Sequence, residues 1–179
     1  MTATAAVRTA AATNPPHLRP RRKAGIRSED GGKTTYKPMD NFGFLKVAAA
    51  VPHVRVGDCD FNTERIAAMA EEAAQRGVEI VAFPELAVTA YTCADLLLLP
   101  ALLDAADEAL ARLVKATRKL PLVIIAGAPL RHGSTLYNCA VVFTQGRVLG
   151  VVPKTYIPDY TEFYENRWFA SGAGISEET

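Results

Sequence analysis

Thr63-Glu-Arg-Ile-Ala-Ala-Met-Ala-Glu-Glu-Ala-Ala-Gln-Arg-Gly-Val-Glu-Ile-Val-Ala-Phe-Pro-Glu85 changes its period once, at Gly77, and that change decides the fold. Over residues 63–76 the apolar side chains of Ile66, Met69, Ala70 and Ala73 recur at three- and four-residue spacing, which puts them on one face of a helix. Asp60 or Asn62 is the expected cap, and Gly77 suits the left-handed conformation that ends a helix. Residues 78–83 then form a mostly apolar run, short enough for a buried strand.

The same alternation extends in both directions. Residues 45–51 are a short apolar run suited to a strand, followed by a polar loop over 54–60. Residues 92–99 read as a short helical segment. Residues 100–120 carry Leu102, Leu103, Ala106, Leu110, Leu113 and Val114 at helical spacing. A third strand is expected at 121–128, then two more at 136–144 and 147–152, joined by the hairpin signal Gln145-Gly146. Helices alternating with apolar strands indicate a layered α/β fold. Because most strand runs lack strict alternation, both of their faces are expected to be buried.

Composition narrows the function classes. The chain has 179 residues, of which 49% are hydrophobic and 22% charged, so one domain with a substantial core is expected. Net charge is +1, which gives no overall signal for nucleic acid or an anionic membrane. That value averages two unlike parts. Residues 1–39 carry 8 Lys or Arg against 2 Asp or Glu, while residues 40–179 carry 12 against 17. The body is therefore acidic. Cys59, Cys93 and Cys139 show neither metal-ligand nor disulfide-framework spacing, so no metal site is expected. Reduced thiols fit a cytoplasmic protein. The longest apolar candidate, 96–103, is interrupted by Pro100 and falls short of the roughly 18 residues a membrane span needs.

Residues 1–39 read as a disordered basic leader, with Pro15-Pro16, Arg19-Pro20-Arg21-Arg22-Lys23 and Gly31-Gly32 but no apolar period. Its low acid content fits a transit peptide, though Ser28 is its one serine; a nucleic-acid-binding arm and an upstream extension before a natural start at Met39 are the alternatives. The domain expected to carry the function is 40–179.

Two of the strand runs end alike. Phe83-Pro84-Glu85 closes one and Val152-Pro153-Lys154 another. Charged residues just past strand ends sit at the rim of a sheet, where ligands of open α/β folds bind. A carboxylate and an ammonium placed there can serve as base and charge stabiliser around a nucleophile. Each, taken alone, is equally compatible with a solvated surface charge.

Phe-Pro-Glu-Leu after a strand and Pro-Lys after a later hairpin strand resemble the carbon–nitrogen hydrolase (nitrilase) superfamily. Phe83-Pro-Glu-Leu-Ala-Val-Thr-Ala-Tyr-Thr-Cys-Ala-Asp-Leu96 and Lys154-Thr-Tyr-Ile-Pro-Asp-Tyr-Thr-Glu-Phe-Tyr-Glu-Asn-Arg-Trp-Phe169 are similar to its glutaminase branch, found in glutamine-dependent NAD synthetases. Asn41-Phe42-Gly43-Phe44-Leu45-Lys46-Val47-Ala48 resembles the start of that domain, and the likeness runs over about residues 40–174.

The resemblance implies an α-β-β-α sandwich, part of which this chain would form, and a Glu–Lys–Cys triad. On this numbering Glu85 would be the general base and Lys154 the stabiliser of the tetrahedral intermediate. Glu165 would be a second glutamate beside them, and Tyr91 and Tyr160 would line the glutamine pocket. Phe163, Trp168 and Phe169 would form a wall, although core packing suits them as well. The branch implies glutamine as substrate, a homo-oligomer, and ATP with Mg²⁺ in a separate synthetase domain. No cofactor, nucleic acid or membrane is expected for residues 1–179 themselves. The nucleophilic cysteine should lie tens of residues beyond Lys154, and neither Cys93 nor Cys139 matches it. The expectation is therefore a truncated, inactive piece of the glutaminase domain, with another nitrilase-type amidase or a non-catalytic partner-binding fragment as the alternatives.

Overall fold

The computed structural model describes residues 6–13 and 43–175. Its strands are β1 (Ala6–Thr13), β2 (Phe44–Val51), β3 (Ile80–Ala82), β4 (Val123–His132), β5 (Thr135–Thr144) and β6 (Arg147–Pro153). Two α-helices, α1 (Cys59–Gln75) and α2 (Pro100–Ala116), occupy the crossovers, and a kinked 3₁₀ segment spans Tyr91–Leu98. The strands lie side by side in sequence order; β2, β3 and β4 are parallel and the other neighbours antiparallel. The α/β expectation and the element order from β2 onward hold.

The helices cover one face. Ile66, Met69, Ala70 and Ala73 of α1, with Ala106, Ala109, Leu110 and Leu113 of α2, pack on Ala48, Ala50, Val81, Ile124, Ala126, Val141 and Phe143 of the sheet. Small alanines on both sides let the helices approach the strands closely. Each large residue sealed in this layer contributes roughly 1.5–3 kcal/mol.

Burial alternates over residues 123–126 of β4 and 139–144 of β5, which corrects the expectation that both strand faces are buried there. Ile124, Ala126, Val141 and Phe143 are buried, while Ile125 and Val142 are only half-covered. The strand runs are apolar on both sides, but among the described residues helices pack on one side only.

Two other expectations change. Helix α1 begins earlier than expected, and its cap is Asp58, whose carboxylate accepts the Phe61 N–H at 3.1 Å. Asn62 is instead fully buried. Its Nδ2 donates to the carbonyls of Arg55 at 2.8 Å and Val88 at 3.0 Å, and its Oδ1 accepts the Arg55 N–H at 2.7 Å. It ties the loop before α1 to the loop after Glu85. The leader also departs from its expected disorder over Ala6–Thr13, which pairs antiparallel with the β2 edge from Ala6↔Val51 to Thr13↔Phe44. That stretch lacks the Pro and Gly that mark the rest of the leader, so it can supply a full ladder of backbone donors. Residues 1–5 and 14–42, including the basic run and the proposed start at Met39, lie outside the described residues.

The expected hairpin forms. Gln145 and Gly146 take φ of 49° and 78°, the left-handed pair that a two-residue β turn needs. Its consequence is directional. β5 reverses β4, β6 reverses β5, and so β6 runs parallel to β3. The Pro-plus-charge endings of β3 and β6 therefore emerge at the same rim.

Candidate active site

Glu85 is set in place by backbone. The Phe83 N–H continues the β3 ladder to the Ile125 carbonyl at 2.8 Å. The chain then turns, with Ala87 N–H donating to Pro84 O at 3.3 Å and Val88 N–H to Gly127 O at 3.1 Å. Gly127 makes this turn possible. A Cβ at that position of β4 would lie 2.3 Å from the Leu86 nitrogen and 2.6 Å from the Pro84 carbonyl oxygen. A glycine inside a strand run is the sequence signal for such close backbone approach.

Lys154 follows β6 and is held by its own N–H, which donates to the Asn138 carbonyl at 2.8 Å. Its Nζ lies 2.6 Å from Glu85 Oε1, 2.9 Å from Glu165 Oε2 and 3.2 Å from Glu165 Oε1. Glu165 opens a short 3₁₀ turn, is 3% exposed, and accepts a further hydrogen bond from the Tyr91 hydroxyl at 2.7 Å. A buried carboxylate is tolerated because an ammonium and a phenol satisfy it. The sequence expectation placed Glu85, Lys154, Glu165 and Tyr91 together, and the structure brings these four residues into one hydrogen-bonded chain.

Tyr160 is not part of it. Its side chain is 65% exposed and meets Phe163 edge to face at 5.7 Å between ring centroids. Phe163 and Trp168 border a small hollow of about 220 Å³ beside Tyr91 and Glu165, whereas Phe169 is buried with Leu86, Cys93 and Leu97. The turn carrying Glu165 is fastened by Asp95, which accepts from Arg167 Nε at 2.6 Å, Arg167 Nη2 at 2.8 Å and Trp168 Nε1 at 2.9 Å. The Arg167 hydrogen bonds hold the Asp95 carboxyl down at about 2.

The charges around Lys154 set its protonation. Burial works against the ammonium, but the hydrogen bonds and charges of Glu85 and Glu165 together outweigh it and raise its pKa. Burial, reinforced by the Glu165 carboxylate, pushes the Tyr91 phenol well above its ordinary range. Lys154 is thus a fixed cation and Tyr91 a fixed donor at neutral pH.

An open depression of about 500 Å³ lies over Glu85 and Lys154, bordered also by Phe83, Asn138, Cys139, Thr155 and Tyr156. Asn138 and Tyr156 were not singled out in the sequence. A polar residue within the Leu136–Ala140 stretch was the available signal for Asn138; Tyr156 was marked only by its place two residues after Lys154 in the Pro-Lys-Thr-Tyr motif. Cys139 is 4% exposed and burial raises its thiol to about 11. Cys59 and Cys93 are buried, and burial is the first cause raising each thiol, Cys59 to about 11. None is an activated nucleophile, since the thiolate is the reactive form. Among the described residues no cluster of three or more His, Cys, Asp or Glu could hold a metal ion.

A sheet rim carrying a Glu–Lys–Glu cluster after Phe-Pro-Glu and Pro-Lys strand ends defines a class, and the comparison with known sequences agrees: residues 46–177 match the model of the carbon-nitrogen hydrolase family, to which the chain belongs. Within that family the chain is similar in sequence to glutamine-dependent NAD(+) synthetases and, in fold, to amidases as well. It is 46% identical over 132 residues to the glutamine-dependent NAD(+) synthetase of Mycobacterium tuberculosis, covering 74% of this chain and 19% of that protein. The crystal structure of a glutamine-dependent NAD(+) synthetase from Cytophaga hutchinsonii superposes with a TM-score of 0.67 at 28% identity, over 71% of this chain and 22% of that one. The Acinetobacter baumannii enzyme in complex with ADP gives a TM-score of 0.64 at 32% identity, over 72% and 24%. The chain thus spans about a fifth of the length of the curated relatives it matches. Among the described residues no helix is long and apolar enough to cross a membrane.

Proposed function

We propose that residues 40–179 form part of a glutaminase domain that releases ammonia from glutamine for the amidation of nicotinic acid adenine dinucleotide to NAD. The observation that carries this reading is the ammonium of Lys154 held between Glu85 and Glu165 at the sheet rim, in a chain 46% identical to a glutamine-dependent NAD(+) synthetase.

The chemistry follows from the groups. A thiol brought beside Glu85 loses its proton to that carboxylate, and the thiolate attacks the amide carbon of glutamine. Negative charge develops on the carbonyl oxygen, opposite which Lys154 stands as a preformed cation. The intermediate collapses, the proton held by Glu85 passes to the leaving nitrogen, and ammonia departs. Water, deprotonated by the same carboxylate, then cleaves the thioester to glutamate. Glu165 fixes Lys154, and Tyr91 fixes Glu165. Tyr156 replaces Tyr160 as the tyrosine bordering the depression.

The chain's three cysteines are buried and protonated, so the reacting thiol would come from outside these 179 residues. ATP and Mg²⁺ would serve a synthetase portion that the matched residues do not include. A homo-oligomer in the cytoplasm completes the reading.

The test is glutamate release by the full natural polypeptide. It should hydrolyse glutamine, and Glu85→Gln should lower kcat by about 10²- to 10⁴-fold, the usual worth of a positioned base. The 179-residue chain alone should release none. Thiol-dependent turnover by residues 1–179, abolished by Cys139→Ala, would overturn the assignment of the nucleophile. Preference for another amide over glutamine would favour a nitrilase-type amidase.

A further inference from the structure

Asn138 belongs to neither charged strand end, yet it holds both. It sits on β5 between them and is 3% exposed. Its Nδ2 donates to Glu85 Oε1, the same oxygen that receives Lys154 Nζ at 2.6 Å. Its backbone carbonyl accepts the Lys154 N–H at 2.8 Å. A carboxylate only accepts, so the amide must present its nitrogen, not its oxygen, to Glu85.

The two oxygens of Glu85 are therefore unequal. Oε1 takes a donor from Asn138 and another from Lys154. Oε2 has no hydrogen-bond partner among the described residues. Lone pairs already engaged by two donors, one of them cationic, accept a proton less readily than free ones.

We propose that Asn138 is a positioning residue that locks Glu85 through Oε1 and so makes Oε2 the oxygen that takes and returns the proton. This rests on the reading of Glu85 as general base. It explains why a polar amide occupies a buried strand position flanked by Tyr137 and Cys139. It also explains how the site keeps Glu85 from collapsing fully onto Lys154: the amide sets the carboxylate's rotation, and Lys154 alone would allow bidentate pairing.

The test has one readout independent of activity and one kinetic readout. In ¹⁵N-labelled 179-residue protein, one Asn138 side-chain amide proton should lie downfield and return toward the free-amide position in Glu85→Gln. In the full natural polypeptide, Asn138→Leu should lower kcat about 10- to 100-fold with a much smaller change in KM, as expected for a misplaced base. Asn138→Asp supplies the discriminating case. Its carboxyl donates to Glu85 while protonated and repels it once ionised, so the loss of kcat should grow as pH rises. A residue that merely filled space would give the same loss at every pH.

An Asn138 amide signal indifferent to Glu85→Gln overturns the proposal, as does an Asn138→Asp loss independent of pH or wild-type kcat in Asn138→Leu. If Asn138→Leu fails to fold, the amide signal and Asn138→Asp still decide. If the wild-type polypeptide releases no glutamate, the function assigned above falls. The amide signal then tests the lock alone: movement in Glu85→Gln sustains it and no movement overturns it.

Discussion

Val78–Glu85 and Arg147–Lys154 are nearly the same sentence written twice, an apolar run ending in Pro and one charge, and the fold treats them oppositely. Val81, in the first, is completely buried beneath the helices, whereas Val151, in the second, is 45% exposed at the sheet edge. Both runs nevertheless deliver their terminal charge to the same rim, because β6 runs parallel to β3. Apolarity therefore did not set burial; the neighbouring layers did. The Pro-plus-charge ending set the chemistry regardless of what covered the strand.

The covered region should be where stability resides. Phe143 is fully buried in the layer between helices and sheet. Phe143→Ala should cost about 3–5 kcal/mol, through lost transfer energy and the cavity left behind. Urea denaturation of the 179-residue chain measures it. A loss below about 1 kcal/mol would mean that the helix-covered layer is not the core and would erase the contrast with β6.

The rim should come next. Lys154→Met leaves the nearly buried Glu165 carboxylate with Tyr91 alone. Removing one partner of a buried pair typically costs 3–5 kcal/mol. Lys154 keeps some solvent contact and Glu85 more, so about 3 kcal/mol is expected in the same denaturation series. Replacing both Lys154 and Glu165 by Met should cost less than Lys154→Met alone, since the buried carboxylate is then gone and Glu85, which loses Lys154 in both variants, keeps Asn138 and solvent.

The same cluster predicts an alkaline weakness. Lys154 and Tyr91 both have folded pKa values above their ordinary ones. Such groups contribute stability that is fully present below the unfolded pKa, about 10 for each, and lost as pH rises through the folded value. The urea midpoint should therefore drop above about pH 10, and Tyr91→Phe should remove part of that drop. Asp95, held low by Arg167, acts at the other end: its contribution is present above the unfolded carboxylate range and is lost as pH falls toward about 2.

The sequence made the rim legible and the faces illegible, for a physical reason. The position of Glu85 relative to Lys154 follows from strand direction, which the Gln145-Gly146 hairpin and the helical crossovers fix locally. Glu165 and Tyr91 were legible through motif likeness, since no periodicity carries a residue 74 positions away onto its partner. Tyr160 lies outside the hydrogen-bonded cluster, and the sequence could not show this because the loop after Lys154 has no repeating pattern from which direction can be read. Asn138 was missed because one polar residue in a strand looks like an ordinary turn of the alternation. Whether a strand's second face is covered depends on other segments, and β5 and β6 carry no mark of it.

The smallest effects should come from β6 itself, and they give the comparison its sharpest edge. Val148, Leu149, Val151 and Val152 are all more than 40% exposed, so they bury little that a substitution could forfeit. Val151→Thr keeps the β-branched shape that suits a strand and adds a hydroxyl that water can satisfy. The expected change is within about 0.5 kcal/mol, the range of surface substitutions away from special features. Val81→Thr, the same substitution at the corresponding strand of the covered region, buries that hydroxyl among apolar groups and should cost about 1–3 kcal/mol. Measured side by side in urea, the two variants change the same atoms in similar sequence contexts. Equal losses would show that β6 is packed as tightly as β3 in solution, covered by something that reaches its apolar side chains.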